Sequence, residues 1–319
     1  MKNENYYIGN TNRKDSIGIA SGALSGVFWG LDTVLAGVIL SKFPSIDVAD
    51  AMLIAPLVSA FLHDFFSSLW MVLLSVINKE FIKTLRLLKT RSGKFVCLAA
   101  LFGGPVGMAG YLLAINYIGS GYTASISSIY PAVGAFFSYI FLKEKLSIKG
   151  WIGLSLSILS VIILGYTPNQ DVAVNFILGF GCALICVLGW SLESVISAYG
   201  MKDDEVSPVQ ALQIRQLVST IVYGIIIVPL FGGLGLTKIV STSSLAPMIA
   251  GVALIGTLSY IFYYNSIDKI GPVKATGLNI TYSIWAIVFE MVFLDTPITA
   301  RLILCSILII IGSVMVSKN

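Results

Sequence analysis

The chain has 319 residues, of which 56% are hydrophobic and only 11% charged, with a formal net charge of +4; soluble globular chains carry about 25% charged residues. With a mean hydropathy of +0.90 it cannot solvate a globular surface, and apolar runs of about 20 residues recur along it, the pattern of a polytopic membrane protein. Cys97, Cys182, Cys186 and Cys305 all lie inside apolar runs, which argues against a secreted disulfide framework or a zinc ribbon and leaves them as small apolar side chains.

In chain order, a polar segment precedes the first apolar run, 16–40, which lacks a short core with a small-residue cleavage site and reads as a retained helix. Further runs follow at 51–78, 94–117, 119–142, 149–166, 175–200, 208–231, 244–267, 273–294 and 298–317. Each can cross a hydrocarbon core of about 30 Å as a helix, allowing for tilt, and all are too continuously apolar for barrel strands. The expected fold class is therefore an all-α integral membrane protein with ten transmembrane helices. If the N-terminus is cytoplasmic, 16 of the 20 basic residues fall on the inner side, including Lys79, Lys83, Arg86, Lys89, Arg91 and Lys94 between the second and third runs, Lys202, and Lys318 near the C-terminus. Both termini are thus expected in the cytoplasm. The basic stretch reads as a lipid-facing anchor rather than a nucleic-acid site.

The two halves of the chain resemble each other. Trp29-Gly-Leu-Asp32-Thr-Val34 matches Trp190-Ser-Leu-Glu193-Ser-Val195 at an offset of 161; at an offset of 152, Pro56 meets Pro208, Ile118-Gly119 meets Ile270-Gly271, and Tyr130 meets Tyr282. Five helices per half is an odd number, so residues 171–319 enter the membrane from the side opposite to residues 1–170. The expectation is a pair of inverted five-helix repeats, a physical route to alternating access.

Phe28-Trp-Gly30, Ala114-Ile-Asn-Tyr-Ile-Gly119, Tyr130-Pro-Ala132 and Phe141-Leu-Lys-Glu-Lys145 resemble the drug/metabolite transporter superfamily in its ten-helix, EamA-type branch. More narrowly, His63-Asp-Phe65, Gly104-Pro-Val-Gly-Met108, Ser128-Ile-Tyr-Pro131 and Gly189-Trp-Ser-Leu-Glu-Ser194 resemble bacterial choline transporters of the phosphorylcholine-decoration pathway. The resemblance implies a multi-pass plasma-membrane transporter and choline uptake. Export of amino acids or other small metabolites, common in the wider superfamily, is the alternative.

Charge inside a bilayer costs at least about 2.5 kcal/mol per residue on insertion scales and asks for a reason. Depth counted at about 1.5 Å per residue sets Glu193 beside Arg215 in the inner half and Asp32 beside His63 in the outer half, two opposed pairs suited to gating or coupling. Glu290, four residues from the end of its run, reads as part of a solvated rim. Four aromatics fall near mid-membrane, Trp29, Trp190, Tyr130 and Tyr282, with Tyr111, Tyr263 and Tyr264 as a further cluster. Aromatic faces attract a quaternary ammonium by about 0.5 to 2 kcal/mol each, and Glu193 supplies a counter-charge. The expected substrate-binding set is Trp29, Tyr130, Trp190, Glu193, Tyr282, His63, Asp64, Tyr111 and Tyr264, with Asp32 and Arg215 for gating or coupling.

No Gly-rich phosphate loop and no nucleophilic triad is legible, so neither an enzyme nor a cofactor or metal is expected. Asp32, Asp64, His63 or Glu193 can each carry a coupling proton, whereas a facilitator needs none. Sodium is disfavoured because the sequence shows no obvious broken helix. The expected partners are a choline-like cation and the lipid bilayer, with no nucleic acid, and the expected assembly is a monomer or weak homodimer.

Overall fold

The computed structural model describes residues 2–44, 48–143, 145–165, 173–200, 206–270 and 272–317. The boundary expected between residues 170 and 171, the inner-side Lys202 and Lys318, and Gly271 of the repeat match lie outside the described residues.

Among the described residues, eight helices are long and apolar enough to cross a membrane: α1 (Asp15–Leu40), α2 (Met52–Ile77), α3 (Arg91–Ile118), α4 (Ser120–Phe141), α6 (Asn175–Ser197), α7 (Pro208–Leu230), α8 (Leu245–Ile267) and α9 (Ala275–Leu294). The runs expected at 149–166 and 298–317 form two shorter apolar helices, α5 (Ile148–Leu164) and α10 (Ala300–Val316). By length and composition the structure thus supports eight spans, with α5 and α10 falling just short. Two short helices, Phe81–Leu87 and Leu234–Ser241, stand in the connections after α2 and α7.

Helix ends follow from local chemistry. Thr90 caps α3 by accepting from the Gly93 amide at 3.0 Å, and Ser207 opens α7 with a capping box completed by Gln210 and a proline at the first helical position. Lys143 after α4 and Asp295 after α9 both take left-handed backbone, at φ 56° and 48°, 152 residues apart.

The packing is paired as a two-fold relation would pair it. α1 packs on α8 and α9, and α6 on α3 and α4; α2 meets α8, and α7 meets α3; α2 meets α7, and α5 meets α10. Gly153 of α5 and Gly312 of α10 bring those two backbones together, and Ser157 Oγ donates across the contact to the Ile309 carbonyl at 3.3 Å.

α4 and α9 are each interrupted at mid-length. In α4 the helix Ser120–Ser127 ends and a second, Tyr130–Phe137, begins after Ser128 and Ile129; in α9, Pro272–Asn279 gives way to Tyr282–Leu294 after Ile280 and Thr281. α3 is also irregular, with a π-helical turn over Phe102–Met108 around Pro105; proline removes a helical hydrogen bond at its own position.

Candidate functional site

The π-helical turn of α3 is the local device that lets α6 come close. Its glycines carry no side chain where α6 presses: a Cβ on Gly107 would stand 2.5 Å from Trp190 Cδ1, and one on Gly103 would overlap the Glu193 carboxylate. The carbonyls freed by the wide turn are used. Trp190 Nε1 donates to the Gly103 carbonyl at 3.2 Å, and the Tyr223 hydroxyl to the Gly104 carbonyl at 3.2 Å. Buried indole and phenol groups thereby satisfy their donors.

A cavity of about 350 Å³ lies beside these residues. Its aromatic wall is Trp29, Tyr130, Trp190, Tyr260, Tyr263, Tyr264 and Tyr282; its polar wall is Glu193, Arg215, Ser194, Ser197, Ser259 and Asn279. The rings are mutually braced. Trp29 meets Trp190 edge-on at 5.8 Å and Tyr260 at 5.2 Å, Tyr130 meets Trp190 at 5.7 Å, and Tyr260 and Tyr264 stack at 6.4 Å. Both helix breaks abut it, through Tyr130 after the first and Asn279 and Tyr282 around the second.

Of the residues expected to bind substrate, Trp29, Tyr130, Trp190, Glu193, Tyr282 and Tyr264 line the cavity, as does Arg215. Tyr111, His63 and Asp64 do not. Tyr111 is fully buried behind the wall, 4.9 Å from the Trp190 ring, and its hydroxyl lies 2.6 Å from Thr33 Oγ1, which itself donates to the Trp29 carbonyl. Tyr260 escaped the sequence reading, although it stands one helical turn before Tyr264 and shares its face.

The charged residues form one chain rather than two separate pairs. Arg215 Nε donates to Glu193 Oε1 at 2.8 Å, and His63 Nε2 lies 3.0 Å from Asp32 Oδ1. Asp64 joins them, 3.7 Å from His63 Nδ1 and 4.0 Å from Arg215 Nη1, while Ser219 donates to its other oxygen. The guanidinium also lies over the Tyr260 ring at 5.5 Å. Asp32 Oδ2, His63 Nδ1, Asp64 Oδ1 and Arg215 Nη2 have no hydrogen-bond partner among the described residues. Three carboxyl side chains, Asp32, Asp64 and Glu193, stand in this chain with one guanidinium and one imidazole, so acidic groups outnumber basic ones by one.

The cavity lies toward one end of the helices that line it. Its lining runs from the mid-span residues Trp29, Trp190 and Tyr282 to Ser197 and Ile267 at the ends of α6 and α8. That end also bears Arg91 at the start of α3, whose guanidinium lies over Tyr199 at 5.5 Å, and Glu80 after α2, which accepts from Gln210 of α7 at 3.0 Å. With Lys79, Lys83, Arg86 and Lys89 in the connection between α2 and α3 and Lys94 in the first turn of α3, it is called the basic face. Toward the opposite face the way is shut by Tyr111 on Thr33, by Tyr282 against Ser127 at 2.8 Å, and by Asp32 with His63. Glu290, expected on a solvated rim, is instead buried there, accepting from two backbone amides.

Among the described residues no group of three or more potential ligands is placed to hold a metal ion.

The chain is similar in length and sequence to Protein LicB of Haemophilus influenzae, with 35% identity over 301 residues that cover 93% of this chain and 96% of LicB. It shares its fold with a protein of known crystal structure, at a TM-score of 0.58 and 14% identity over 94% of this chain and 96% of the other. The EamA-like transporter family matches residues 16–166 and, separately, residues 177–318, and the protein accordingly belongs to that family of multi-pass membrane transporters.

Proposed function

We propose that the protein takes up a small quaternary-ammonium metabolite, choline above others, by alternating access around the aromatic cavity. The observation that carries the reading is a cavity wall of seven aromatic rings with the Glu193 carboxyl beside them. Ring faces attract a trimethylammonium group without hydrogen bonds, and the Glu193 carboxyl on the same wall is the acidic group nearest to such a cation. An anionic substrate would meet the Glu193 carboxyl on that wall. A zwitterion would need Arg215, which Glu193 already engages.

The inverted-repeat reading of ten helices, with residues 1–170 and 171–319 as halves and both termini cytoplasmic, supplies the motion. The paired packing, the breaks 152 residues apart in α4 and α9 and the matched left-handed ends of those helices support it. With the basic face cytoplasmic, the cavity opens inward and the opposite face is shut. Asp32 and His63 then gate the outer side, Glu193 and Arg215 the inner, and Asp64 is the group through which a proton couples them.

The test uses choline and its neutral isostere with a tert-butyl group in place of trimethylammonium. In thermal-shift titrations of the purified protein, a ligand stabilises only the state it binds. Choline is expected to raise the melting temperature and to bind at least about tenfold more tightly than the isostere, the worth of one or two cation–π contacts. Equal binding of the two would sink the cation reading, and stabilisation by amino acids alone would favour export of that class.

A further inference from the structure

Gly119 turns α3 into α4 with no intervening residue, at φ 81°, a conformation that glycine adopts without strain. A turn this tight leaves the first amides of α4 pointing out of the helix end without intrahelical acceptors. Glu290 of α9 meets them. The Ser120 amide donates to Oε1 at 3.1 Å and the Gly121 amide to Oε2 at 2.7 Å. The contact is bidentate, charge-assisted and aligned with the positive end of the helix dipole. It also joins the two halves of the chain, at the face where the cavity is shut.

In sequence, the matched place on the basic face lacks the carboxylate and the first of the two amide donors. Ile118-Gly119-Ser120 corresponds, 152 residues on, to Ile270-Gly271-Pro272, and proline has no amide hydrogen to give. Glu290 corresponds to Ser138. An inverted repeat that were symmetric in energy would carry the contact at both ends or at neither.

We infer that the Glu290 carboxylate is a one-sided latch: it ties α9 to the α3–α4 turn and, with serine in place of the carboxylate and proline in place of the first donor at the matched positions of the sequence, holds the resting transporter with its cavity open to the basic face. The inference rests on the alternating-access reading proposed above. Opening the opposite face draws the start of α4 away from α9 and breaks both bonds, whereas opening the basic face breaks no equivalent.

The experiment is hydrogen–deuterium exchange on the full-length protein in lipid nanodiscs, without ligand, comparing wild type with Glu290→Gln and Ser120→Pro. The second variant copies the Gly-Pro of the basic face and puts proline at the first helical position, where it is tolerated. If Glu290→Gln fails to fold, Ser120→Pro decides alone. Exchange over residues 33–40 and 119–127 is expected to rise about tenfold, equivalent to about 1.4 kcal/mol, while residues 190–197 and 260–267 on the cavity side become more protected. A rise confined to 119–127 would reduce Glu290 to a local cap and overturn the latch, as would no rise in either variant. Because exchange is read without substrate, failure of the choline reading leaves this result standing, and failure of the latch leaves choline binding untouched.

Discussion

The two acid–base pairs of the membrane interior have similar chemistry and opposite surroundings. Glu193 and Arg215 stand at the cavity wall, with the Glu193 side chain 19% exposed, while Asp32 and His63 are sealed, Asp32 at 0%. Asp32 and Glu193 come from matched segments of the two halves. On the alternating-access reading proposed above, the difference in exposure is one of conformation, not of residue type: the pair on the open side would exchange its partner for a ligand, and the other would not. That separation divides the variants into those that alter binding and those that alter the transition between states.

The largest effect is expected where a buried charge loses its partner. Arg215→Met leaves Glu193 and Asp64 uncompensated, which in a buried pair costs about 3–5 kcal/mol and should appear as a large drop in melting temperature with loss of uptake. Exchanging the two residues, Glu193→Arg with Arg215→Glu, is expected to recover part of the loss. Strictly additive losses in that cycle would mean that the pair is not a unit.

A smaller effect is expected at the ring wall. Trp190→Leu keeps apolar volume but removes the π-face and the indole donor to Gly103, and choline binding should weaken by about 5- to 30-fold, equivalent to about 1–2 kcal/mol. Titration calorimetry in detergent measures it. Unchanged affinity would show that Trp190 only braces Trp29 and Tyr130.

The smallest expected change is in binding at the sealed pair, and it is the most discriminating. Asp32→Asn keeps a hydrogen-bonding group beside His63 but removes a charge remote from the cavity wall, so the equilibrium affinity should shift by less than about 0.5 kcal/mol while uptake falls. A loss of affinity equal to the loss of uptake would erase the distinction between the two pairs.

Much of this was legible in the chain. The apolar runs locate the eight span-length helices and the two shorter apolar ones among the described residues, because a hydrocarbon solvent leaves the backbone no other way to satisfy its polar groups. The matched Trp29 and Trp190, and Tyr130 and Tyr282, appear at the cavity because they sit at mid-length, and depth along a straight helix is a matter of counting. Tyr111 passes the same count yet stands behind the wall, since counting gives depth but not the direction a residue faces. Asp64 is adjacent to His63 in sequence, but its position between His63 and Arg215 depends on how α2 packs against α7.

The sequence by itself determined that the chain is a membrane protein of internally duplicated helices, because hydropathy and repetition are properties of composition and order. It also named the groups able to hold an organic cation. Tertiary structure decided which of them meet. The breaks in α4 and α9 carry no shared local signal, since Pro131 follows the first and no proline follows the second; they arise where each helix packs against α1 or α6. Glu290 was placed on a solvated rim by its distance from a helix end, yet α4 supplies two amides that bury it. A carboxylate's surroundings are set by which backbone groups other helices bring to it, and no local reading of the sequence contains that.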